Sequence, residues 1–361
     1  MSHRVVINLY DDFLIIPRHP ASQGWPTFET KEFFVNQEPR QVRFSRRQLL
    51  KTTAVAAGLT AAASAGSVFA KAPIVGNQTI SIHRMKLGSF EVTTVLDGYL
   101  EIDPRLLNAT PEMVTRLLAA ADLPYGPIRT PVNTFLVNTG EKLVLLDCGG
   151  AKLVGPGTGR LVQGLAAAGV EPSQIDEVYI THCHGDHLHG AVNADGTALF
   201  SNAILRIAQQ DVDYWLNPEV EAAAPAAQKG RFVPAKRAKA AYGERLKPFK
   251  AGEELTTGIT SVAAAGHTPG HTCYMVTSGT ARMLAIGDMI HVAPVQFAQP
   301  EVTIAFDWEQ AKASATRISV FDMVAKENIL IAAVHLPFPG LGTLRKDGAS
   351  FAYTPMSWRL F

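Results

Sequence analysis

The sequence predicts an α/β protein with an αββα architecture, in which two β-sheets pack face to face and helices cover their outer faces. Three observations predict this class. Short apolar runs with strand-like patterns recur along the chain, helical segments separate several of them, and polar residues of the kinds that bind metals directly follow the runs. Together they predict one sandwich domain over residues 71–361.

The first predicted elements are strands. Residues 90–96 alternate apolar and polar side chains, as a half-buried strand does. Residues 135–137 and 142–146 are mostly apolar and flank the turn sequence Asn-Thr-Gly-Glu at 138–141, which predicts a β-hairpin. Residues 203–207 predict a further strand.

Helices are predicted between and after these strands. Residues 158–168, ended by Gly169, form an amphipathic pattern that turns Leu161 and Leu165 inward. Residues 209–216 predict a short helix that begins two residues after the strand at 203–207 ends.

Two further helices are predicted in the second half of the chain. Residues 232–242 are basic and rich in alanine, which predicts a surface helix. Asp307, with Gln310 three residues later, resembles a capping box that opens a long helix. One apolar stripe of this helix is expected to face the core: Ala311, Ala315, Ile318, Phe321 and Ala325.

The segment Thr-His-Cys-His-Gly-Asp-His at residues 181–187 indicates chemistry rather than packing. It places three imidazoles and one carboxylate within six residues, directly after the apolar run at 175–180. Imidazole and carboxylate are ligands that suit Zn²⁺ and its first-row neighbours. The segment therefore predicts a site for two metal ions.

The spacing of these residues predicts where each side chain points. Side chains alternate along an extended strand end, so His182 and His184 are expected on one side. Cys183, between them, is expected to point the opposite way, into packing. Asp186 and His187 then lie on the following turn, where they can face a second ion.

Three isolated ligand-type residues occur downstream in matching contexts. Each one follows an apolar run, at a point where a strand meets a loop, and such loops carry function on a rigid scaffold. They are His267 after residues 259–265, Asp288 after residues 283–286 and His335 after residues 329–334.

Together these residues resemble the metallo-β-lactamase superfamily, whose pattern is H-x-H-x-D-H followed by His, Asp and His. The resemblance runs from about Phe90 to the C-terminus, and within the superfamily the chain is most similar to the methyl parathion hydrolase family. The runs that carry this second resemblance are FLVNTG at 135–140, residues 142–149, GDMI at 287–290, VQF at 295–297 and HLPFPGLG at 335–342.

The resemblance implies the metallo-β-lactamase fold and a set of seven ligands for two divalent ions. His182, His184 and His267 would hold one ion, and Asp288 would bridge the pair. The second ion would be held by the remaining three ligands, Asp186, His187 and His335. Zn is the expected metal, with Mn, Co or Fe also compatible with imidazole and carboxylate.

The same resemblance implies a hydrolase that attacks lactone, aryl ester or organophosphate triester bonds with a hydroxide bridging the metals. Asp186 and Asp288 would be its catalytic residues, and Asp147 would have a structural role. Family members are homodimers, so a homodimer is expected.

Substrate residues are predicted less directly. Trp215 and Phe297 fall where related enzymes have pocket aromatics, which indicates a small apolar or aromatic ester or lactone as substrate. His291, three residues beyond Asp288, is expected near the substrate pocket. His189 lies at a position where the superfamily often has glycine. His291 and His189 are each expected either to reach substrate or to hydrogen-bond to residues around the site. His271 is expected to support the site without binding metal.

One alternative function uses the same ligands. A mono-iron dioxygenase of this fold, acting on sulfur compounds, would show one iron per chain and oxygen uptake. A glyoxalase II-like thioesterase would need a C-terminal helical domain, and only 26 residues follow His335.

Composition excludes other classes. The chain has 33 Lys and Arg against 32 Asp and Glu, a net charge of +1, and 47% hydrophobic residues, so it offers no electrostatic case for nucleic acid. Its three cysteines, Cys148, Cys183 and Cys273, are an odd number, which forbids a full disulfide framework and predicts small buried side chains.

The N-terminal residues predict export. Residues 45–51, Ser-Arg-Arg-Gln-Leu-Leu-Lys, look like a twin-arginine signal, and residues 52–69 are a weakly hydrophobic, alanine-rich run. Cleavage is expected after Ala70, which would release a periplasmic or secreted protein with no stable membrane span. Residues 1–44 form an N-terminal extension, and we expect that the true start codon lies downstream of Met1.

Overall fold

The computed structural model describes Gly76 and residues 78–357, and within these residues the chain forms two seven-stranded sheets with helices on their outer faces. The predicted αββα sandwich is confirmed. The N-terminal extension at 1–44, the export signal at 45–70 and its cleavage site lie outside the described residues, so these remain predictions. No helix in the described part of the chain is long and apolar enough to cross a membrane.

The first sheet comes from the first half of the described chain, in strand order β1 to β7. Its strands are β1 (Ile82–Leu87), β2 (Phe90–Ile102), β3 (Ile128–Asn138), β4 (Leu143–Leu146), β5 (Glu177–Tyr179), β6 (Ile204–Ala208) and β7 (Leu246–Phe249). Strands β1 to β4 pair antiparallel, and β4 to β7 pair parallel. The predicted hairpin is the β3–β4 pair, in which Asn138 lies opposite Leu143.

The second sheet comes from the second half and has the order β14 to β8. Its strands are β8 (Glu254–Thr256), β9 (Ile259–Ala263), β10 (Thr272–Ser278), β11 (Ala281–Ala285), β12 (Leu330–Ala332), β13 (Leu341–Asp347) and β14 (Ser350–Pro355). All neighbours pair antiparallel except β11 and β12, which pair parallel. A parallel pair needs a long crossover, and the longest helix supplies it.

The helices lie mostly between strands that pair in parallel. They are α1 (Pro111–Ala119), α2 (Leu161–Ala167), α3 (Gly185–Leu188), α4 (Gln209–Trp215), α5 (Pro218–Ala223), α6 (Val233–Tyr242), α7 (Ala293–Gln296) and α8 (Gln310–Glu327). Helix α2 is shorter than predicted, but Leu161 and Leu165 are buried as expected. Helix α6 is only partly a surface helix, because Ala235, Ala238 and Tyr242 pack into the core.

The core is arranged in three layers because strand side chains alternate. In β4, Val144 and Leu146 face the layer between the sheets, where Tyr274 and Met283 meet them from the second sheet. Leu145 faces the opposite way, toward the helices on the outside of the first sheet. A third cluster packs α8 against the outside of the second sheet.

The predicted inward face of α8 is wrong in detail. Its buried residues are Ala313, Arg317, Val320, Phe321 and Val324, so only Phe321 belongs to the predicted stripe. Ala311 and Ala315 are exposed. The reason is Arg317, which is 1% exposed although it is charged. Its guanidinium donates to the carbonyl oxygens of Met289, Pro300 and Val302, a set of partners that an apolar pattern does not reveal.

Candidate metal centre

The segment that joins β5 to α3 carries four of the seven predicted ligands. Strand β5 ends at Tyr179, so the backbone has left the sheet before the first ligand, His182. His184 directly precedes α3 in an extended conformation (φ −69°, ψ 159°), and Asp186 and His187 lie in the first turn of that helix. His182 and His184 fall in the same group of potential ligands, as predicted, but they lie in the loop between β5 and α3 and not at a strand end.

The other three predicted ligands lie in loops of the second sheet. His267 follows β9, Asp288 follows β11 and His335 follows β12. Gly287 has a positive φ of 50°, and a Cβ there would lie 2.6 Å from Nε2 of His271. That nitrogen accepts a hydrogen bond from the backbone N–H of Asp288 at 3.0 Å, so His271 supports the site from outside the ligand groups, as predicted.

These seven side chains converge into two groups that share Asp288. Within each group, one potential ligand atom from each residue lies within 4.8 Å of all the others. The first group is His182, His184, His267 and Asp288, and the second is Asp186, His187, Asp288 and His335. The division matches the one implied by the sequence resemblance, while the binding of metal itself remains a prediction.

The two carboxylate oxygens of Asp288 face different groups. Its Oδ2 lies 3.1 Å from Nε2 of His267 and 3.5 Å from Nε2 of His182. Its Oδ1 lies 3.0 Å from Nε2 of His187 and 3.2 Å from Nε2 of His335. A carboxylate placed in this way can bridge two cations.

Several inward-facing atoms have no hydrogen-bond partner among the described residues although they are buried. They are Nε2 of His182, Nε2 of His187 and Oδ1 of Asp288. Nε2 of His187 is close to Oδ1 of Asp288 but lacks hydrogen-bonding geometry. Leaving such polar atoms buried without partners is costly unless something else satisfies them. Converging lone pairs of imidazole and carboxylate are the donors that divalent cations take, so the residues fit two such ions.

Asp147 fixes the orientation of one ligand from the outside. His187 donates from Nδ1 to its Oδ2 at 2.9 Å, which leaves Nε2 of His187 facing the centre. The same carboxylate accepts from the backbone N–H of Thr181 at 2.8 Å and from its hydroxyl at 2.9 Å. Asp147 itself has a left-handed backbone with φ 59°, a strained conformation that these contacts hold in place.

Asp307 does the same for His267, and this role was not predicted. Nδ1 of His267 donates to Oδ1 of Asp307 at 2.7 Å, and Oδ2 accepts from the backbone N–H of Ile304 at 3.0 Å. The predicted capping box at Asp307 is wrong: helix α8 begins at Gln310, and Glu309 precedes it without a capping side chain. The carboxylate is used by the metal centre instead of by the helix.

Three of the predicted ligands have raised pKa values in the cation-free protein. Burial opposes charge on His187, but Asp288, Asp186 and Asp147 outweigh it and raise the pKa of His187 well above its usual value. Burial acts to lower the pKa of His267, but Asp288 and Asp307 outweigh it and raise that pKa to about 9. Burial likewise opposes charge on His335, while Asp288 and Asp186 raise its pKa to about 10. All three imidazoles therefore hold a proton at neutral pH that a cation would displace.

Asp211, at the start of α4, joins the two ligand loops. Its carboxylate accepts from the backbone N–H of Cys183 at 2.9 Å, from the hydroxyl of Thr268 at 3.1 Å and from the backbone N–H of Gly270 at 2.6 Å. Burial outweighs these hydrogen bonds and raises the pKa of Asp211 to about 6. The sequence gives this residue no signal that separates it from the exposed Asp213.

The predicted cysteine environments agree with the structure. Cys148, Cys183 and Cys273 are all buried and free, and none belongs to a ligand group among the described residues. Cys183 packs in the core between the first sheet and its helices, on the side away from the ligands, as predicted.

The sequence matches the family described as the metallo-beta-lactamase superfamily over residues 127–322. The chain belongs to the metallo-beta-lactamase superfamily. Among solved structures, it is similar to the hydrolase AbOPH of the beta-lactamase superfamily, with 33% identity, 78% of this chain and 100% of that chain covered, and a TM-score of 0.73. The predicted fold is therefore confirmed.

Two further structures share this fold. AidC, a dizinc quorum-quenching lactonase in complex with the product N-hexanoyl-L-homoserine, is 25% identical over 78% of this chain and 99% of that chain, with a TM-score of 0.73. A probable metal-dependent hydrolase from Staphylococcus aureus is 20% identical over 76% of this chain and 100% of that chain, with a TM-score of 0.63. A search of curated protein sequences found no match.

A small cavity lies beside the first group of predicted ligands. It has a volume of 140 Å³ and is lined by His184 together with Trp215, which is 5% exposed. The ring of Trp215 contacts that of His184 edge-on, with 5.6 Å between their centroids. Four further aromatic residues line this cavity, which we call the aromatic pocket: Tyr214, Phe232, Phe306 and Trp308.

A larger cavity of 640 Å³ lies beside the second ligand group, where His291 and His335 form part of its wall. Phe297 also lines it, and its ring stacks on that of Tyr353 at 5.3 Å. Nε2 of His291 lies 3.0 Å from Oδ2 of Asp288, and its Nδ1 has no partner among the described residues. The structure thus places all three predicted substrate residues at cavities beside the centre, with Trp215 on one side and Phe297 and His291 on the other.

His189 lies outside both ligand groups. Its Nδ1 is 3.4 Å from a guanidinium nitrogen of Arg237, and burial followed by that positive charge lowers the pKa of His189 to about 4. This neutral imidazole packs against Gly185, where a Cβ would lie 2.8 Å from its ring.

Proposed function

We propose that this protein is a hydrolase that uses two divalent cations to cleave lactone, aryl ester or organophosphate triester bonds. The observation that carries the proposal is the position of Asp288, whose two oxygens face two separate groups of buried imidazoles. The dizinc lactonase AidC, with its homoserine product, supports lactones within this range.

The proposed ligands form the two groups that the structure brings together. His182, His184 and His267 would hold one cation, and Asp288 would link it to the other. The second cation would be held by Asp186, His187 and His335. Zn is the proposed metal, and Mn, Co and Fe are compatible with the same donors. Bound there, the two cations would lower the pKa of a water molecule toward neutrality and polarise the oxygen of the scissile bond.

The chain's own residues position the reaction. Asp186 is among the more exposed of the ligands, and its Oδ2 lies 3.4 Å from Nε2 of His187 and 3.3 Å from Nε2 of His335. Its other oxygen, Oδ1, is the atom proposed to accept the proton of the attacking water. Asp288 fixes the distance between the two groups, and Asp147 and Asp307 keep His187 and His267 in the tautomer that presents Nε2.

The two cavities receive the two parts of the substrate. Phe297 lines the larger cavity, and Trp215 lines the smaller one, so both offer apolar surface to an aromatic or alkyl group. His291 lines the larger cavity, and its Nδ1 is buried without a hydrogen-bond partner among the described residues, so this atom is proposed to meet a substrate oxygen that enters there. The scissile bond would lie between the cavities, beside Asp288.

Paired initial rates on the metal-loaded full chain test the proposal. The substrates are dihydrocoumarin, a lactone, and methyl paraoxon, a triester, each with and without a chelator. A chelator-sensitive lactone rate far above the triester rate assigns a lactonase or arylesterase, and the reverse ratio assigns an organophosphate hydrolase. If neither substrate is cleaved while two cations per chain are bound, the proposal is wrong.

The alternative function has its own signature, which metal analysis and oxygen-uptake measurements detect. A mono-iron dioxygenase acting on sulfur compounds would bind one iron per chain and consume oxygen with a persulfide. Two complete ligand groups favour the dinuclear hydrolase.

We also propose that the protein is exported by the twin-arginine route to the periplasm or medium and that it forms a homodimer. Residues 45–70 support the first proposal by their pattern alone. N-terminal sequencing of the protein recovered from the periplasm tests export, and the sequence should begin at Lys71. The mass of the protein in solution tests whether it is a dimer.

A further inference from the structure

Arg231 places a positive charge in the aromatic pocket. It lies at the end of a 3₁₀ segment, Ala226–Phe232, directly before α6, and it lines the same 140 Å³ cavity as His184. Its side chain is only partly exposed. A guanidinium in such a setting has lost much of its water and needs acceptors in return.

Arg231 has no such acceptor among the described residues, where it forms no hydrogen bond, ion pair or ring contact. Arg317, which is buried, shows the contacts of an arginine whose hydrogen-bonding groups are satisfied: it donates to three carbonyl oxygens and faces Asp307. Burial lowers the pKa of Arg231, because nothing in the pocket compensates its charge fully. A guanidinium keeps its proton under these conditions, so the charge remains.

The carboxylate that shares the pocket is already in use. Asp307 lines the cavity, but its oxygens accept from Nδ1 of His267 and from the backbone N–H of Ile304, and Arg317 lies 3.7 Å away. The charge of Asp307 is therefore already matched by His267, the backbone N–H of Ile304 and Arg317. Arg231 is left for a group that enters the pocket from outside.

We propose that Arg231 binds a carboxylate on the substrate, at a distance from the bond that is cleaved. This inference rests on the proposed hydrolase function and narrows its substrate class to esters or lactones that carry a carboxylate arm. The planar guanidinium offers paired N–H donors that match the two oxygens of a carboxylate. A cavity of 140 Å³ equals roughly 4–5 water volumes of about 30 Å³ each, which admits a carboxylate on a short alkyl link.

The arrangement orients the substrate. With the carboxylate on Arg231 and the link against the aromatic wall of the pocket, the rest of the molecule extends past His184 toward Asp288. The larger cavity beyond then receives the other side of the ester. Arg231 thus acts on specificity through substrate binding and takes no part in bond cleavage.

A pair of matched esters tests the proposal. Mono-(4-nitrophenyl) adipate carries a terminal carboxylate, and 4-nitrophenyl adipamate replaces it with a neutral amide of the same size. We expect the metal-loaded protein to prefer the carboxylate in kcat/KM by about tenfold or more, as a charge-assisted pair predicts. Arg231→Met should abolish this preference, and Arg231→Lys, which keeps the charge without the fork, should retain part of it.

Lys229 provides the matched control, because it is an exposed cation on the same 3₁₀ segment and does not line the pocket. Lys229→Met should keep the full preference, which separates a specific pair from a general effect of charge. An equal loss in both variants, or an Arg231→Met preference within twofold of the original, overturns the proposal.

Direct binding supplies a second measurement that does not depend on turnover. Trp215 and Trp308 line the pocket, so glutarate should change the tryptophan fluorescence of the metal-loaded protein, while glutaramide at the same concentration should not. Arg231→Met should weaken glutarate binding by at least tenfold. Glutarate that binds equally well to this variant overturns the proposal even if every ester is cleaved. If the original metal-loaded protein showed no chelator-sensitive turnover of either ester, the proposed hydrolase function would be contradicted instead.

Discussion

Oδ1 of Asp307 lies 2.7 Å from Nδ1 of His267, so a carboxylate 40 residues away along the chain sets the tautomer of a predicted metal ligand. The contact leaves Nε2 of His267 facing Oδ2 of Asp288 at 3.1 Å. A carboxylate behind a ligand also makes the imidazole a stronger donor.

Replacing Asp307 by Asn should therefore weaken cation binding. The amide cannot accept the same charge-assisted hydrogen bond, and we expect affinity for Zn²⁺ to fall by about 10- to 100-fold, as such outer contacts usually contribute. Competition with a chromophoric chelator measures this. Asp322→Asn, at an exposed carboxylate on α8, is the control, and equal affinities in the two variants would rule the role out.

Asp211→Ala should destabilise the fold. It would leave the N–H groups of Cys183 and Gly270 and the hydroxyl of Thr268 buried without their acceptor, at about 1–3 kcal/mol for each group. We expect the free energy of unfolding in urea to fall by about 3 kcal/mol or more. Asp213→Ala, two residues further along α4 and exposed, should change it by less than about 0.5 kcal/mol. Similar losses in both variants would contradict the bracing role of Asp211.

Cation binding should release protons at neutral pH. The pKa values of His267 and His335 are raised to about 9 and about 10, and that of His187 is raised well above its usual value, so all three imidazoles are protonated at pH 7 before a cation binds. We expect about three protons to be released per chain when Zn²⁺ is added at pH 7 in weak buffer, and apparent affinity to rise with pH until about pH 9 to 10. If Zn²⁺ bound at pH 7 without releasing protons, the raised pKa values of these histidines would be refuted.

The cation-free protein should show the opposite dependence of stability on pH. The folded-state pKa values of His187, His267 and His335 all lie above the ordinary value of 6.5, so the stability they contribute is complete below pH 6.5. The contributions of His267 and His335 are lost as pH rises through about 9 and 10. Urea unfolding of chelator-treated protein at pH 6.5 and 10 measures this contribution. A His267→Gln variant should show a smaller loss over the same interval.

His291→Asn should separate catalysis from cation binding. His291 belongs to neither ligand group, so cation content should stay at the original level. We expect kcat/KM to fall by about tenfold, because Nε2 of His291 loses its contact with Oδ2 of Asp288 at 3.0 Å and Nδ1 no longer meets substrate. His83→Asn, on β1, should leave the rate unchanged. A loss of one cation per chain would make His291 a ligand instead.

The strands and the hairpin that short sequence patterns determine could be predicted from the sequence. Alternation and turn residues located β2, the β3–β4 hairpin and the strands before His267, Asp288 and His335, because these signals lie within a few residues. The seven predicted ligands come together because each one ends such a strand or follows it.

The residues that escaped prediction share one property. Asp211, Asp307, Arg317 and Arg231 are polar groups whose role depends on residues far along the chain or on a cavity. Asp211 meets Gly270 across 59 positions, and no window of sequence contains both. Arg317 occupies an inward position on α8 because its acceptors come from the loop after β11, so an apolar stripe placed the helix face wrongly.

The ligand set is divided between the two sheets: four members follow β5 in the first, and His267, Asp288 and His335 follow strands of the second. Neither half of the chain contains a complete group. Cobalt, whose visible absorption depends on its ligand geometry, would therefore act as an optical reporter of sheet docking. During refolding, its colour should develop only when the two sheets meet, later than the signal for secondary structure.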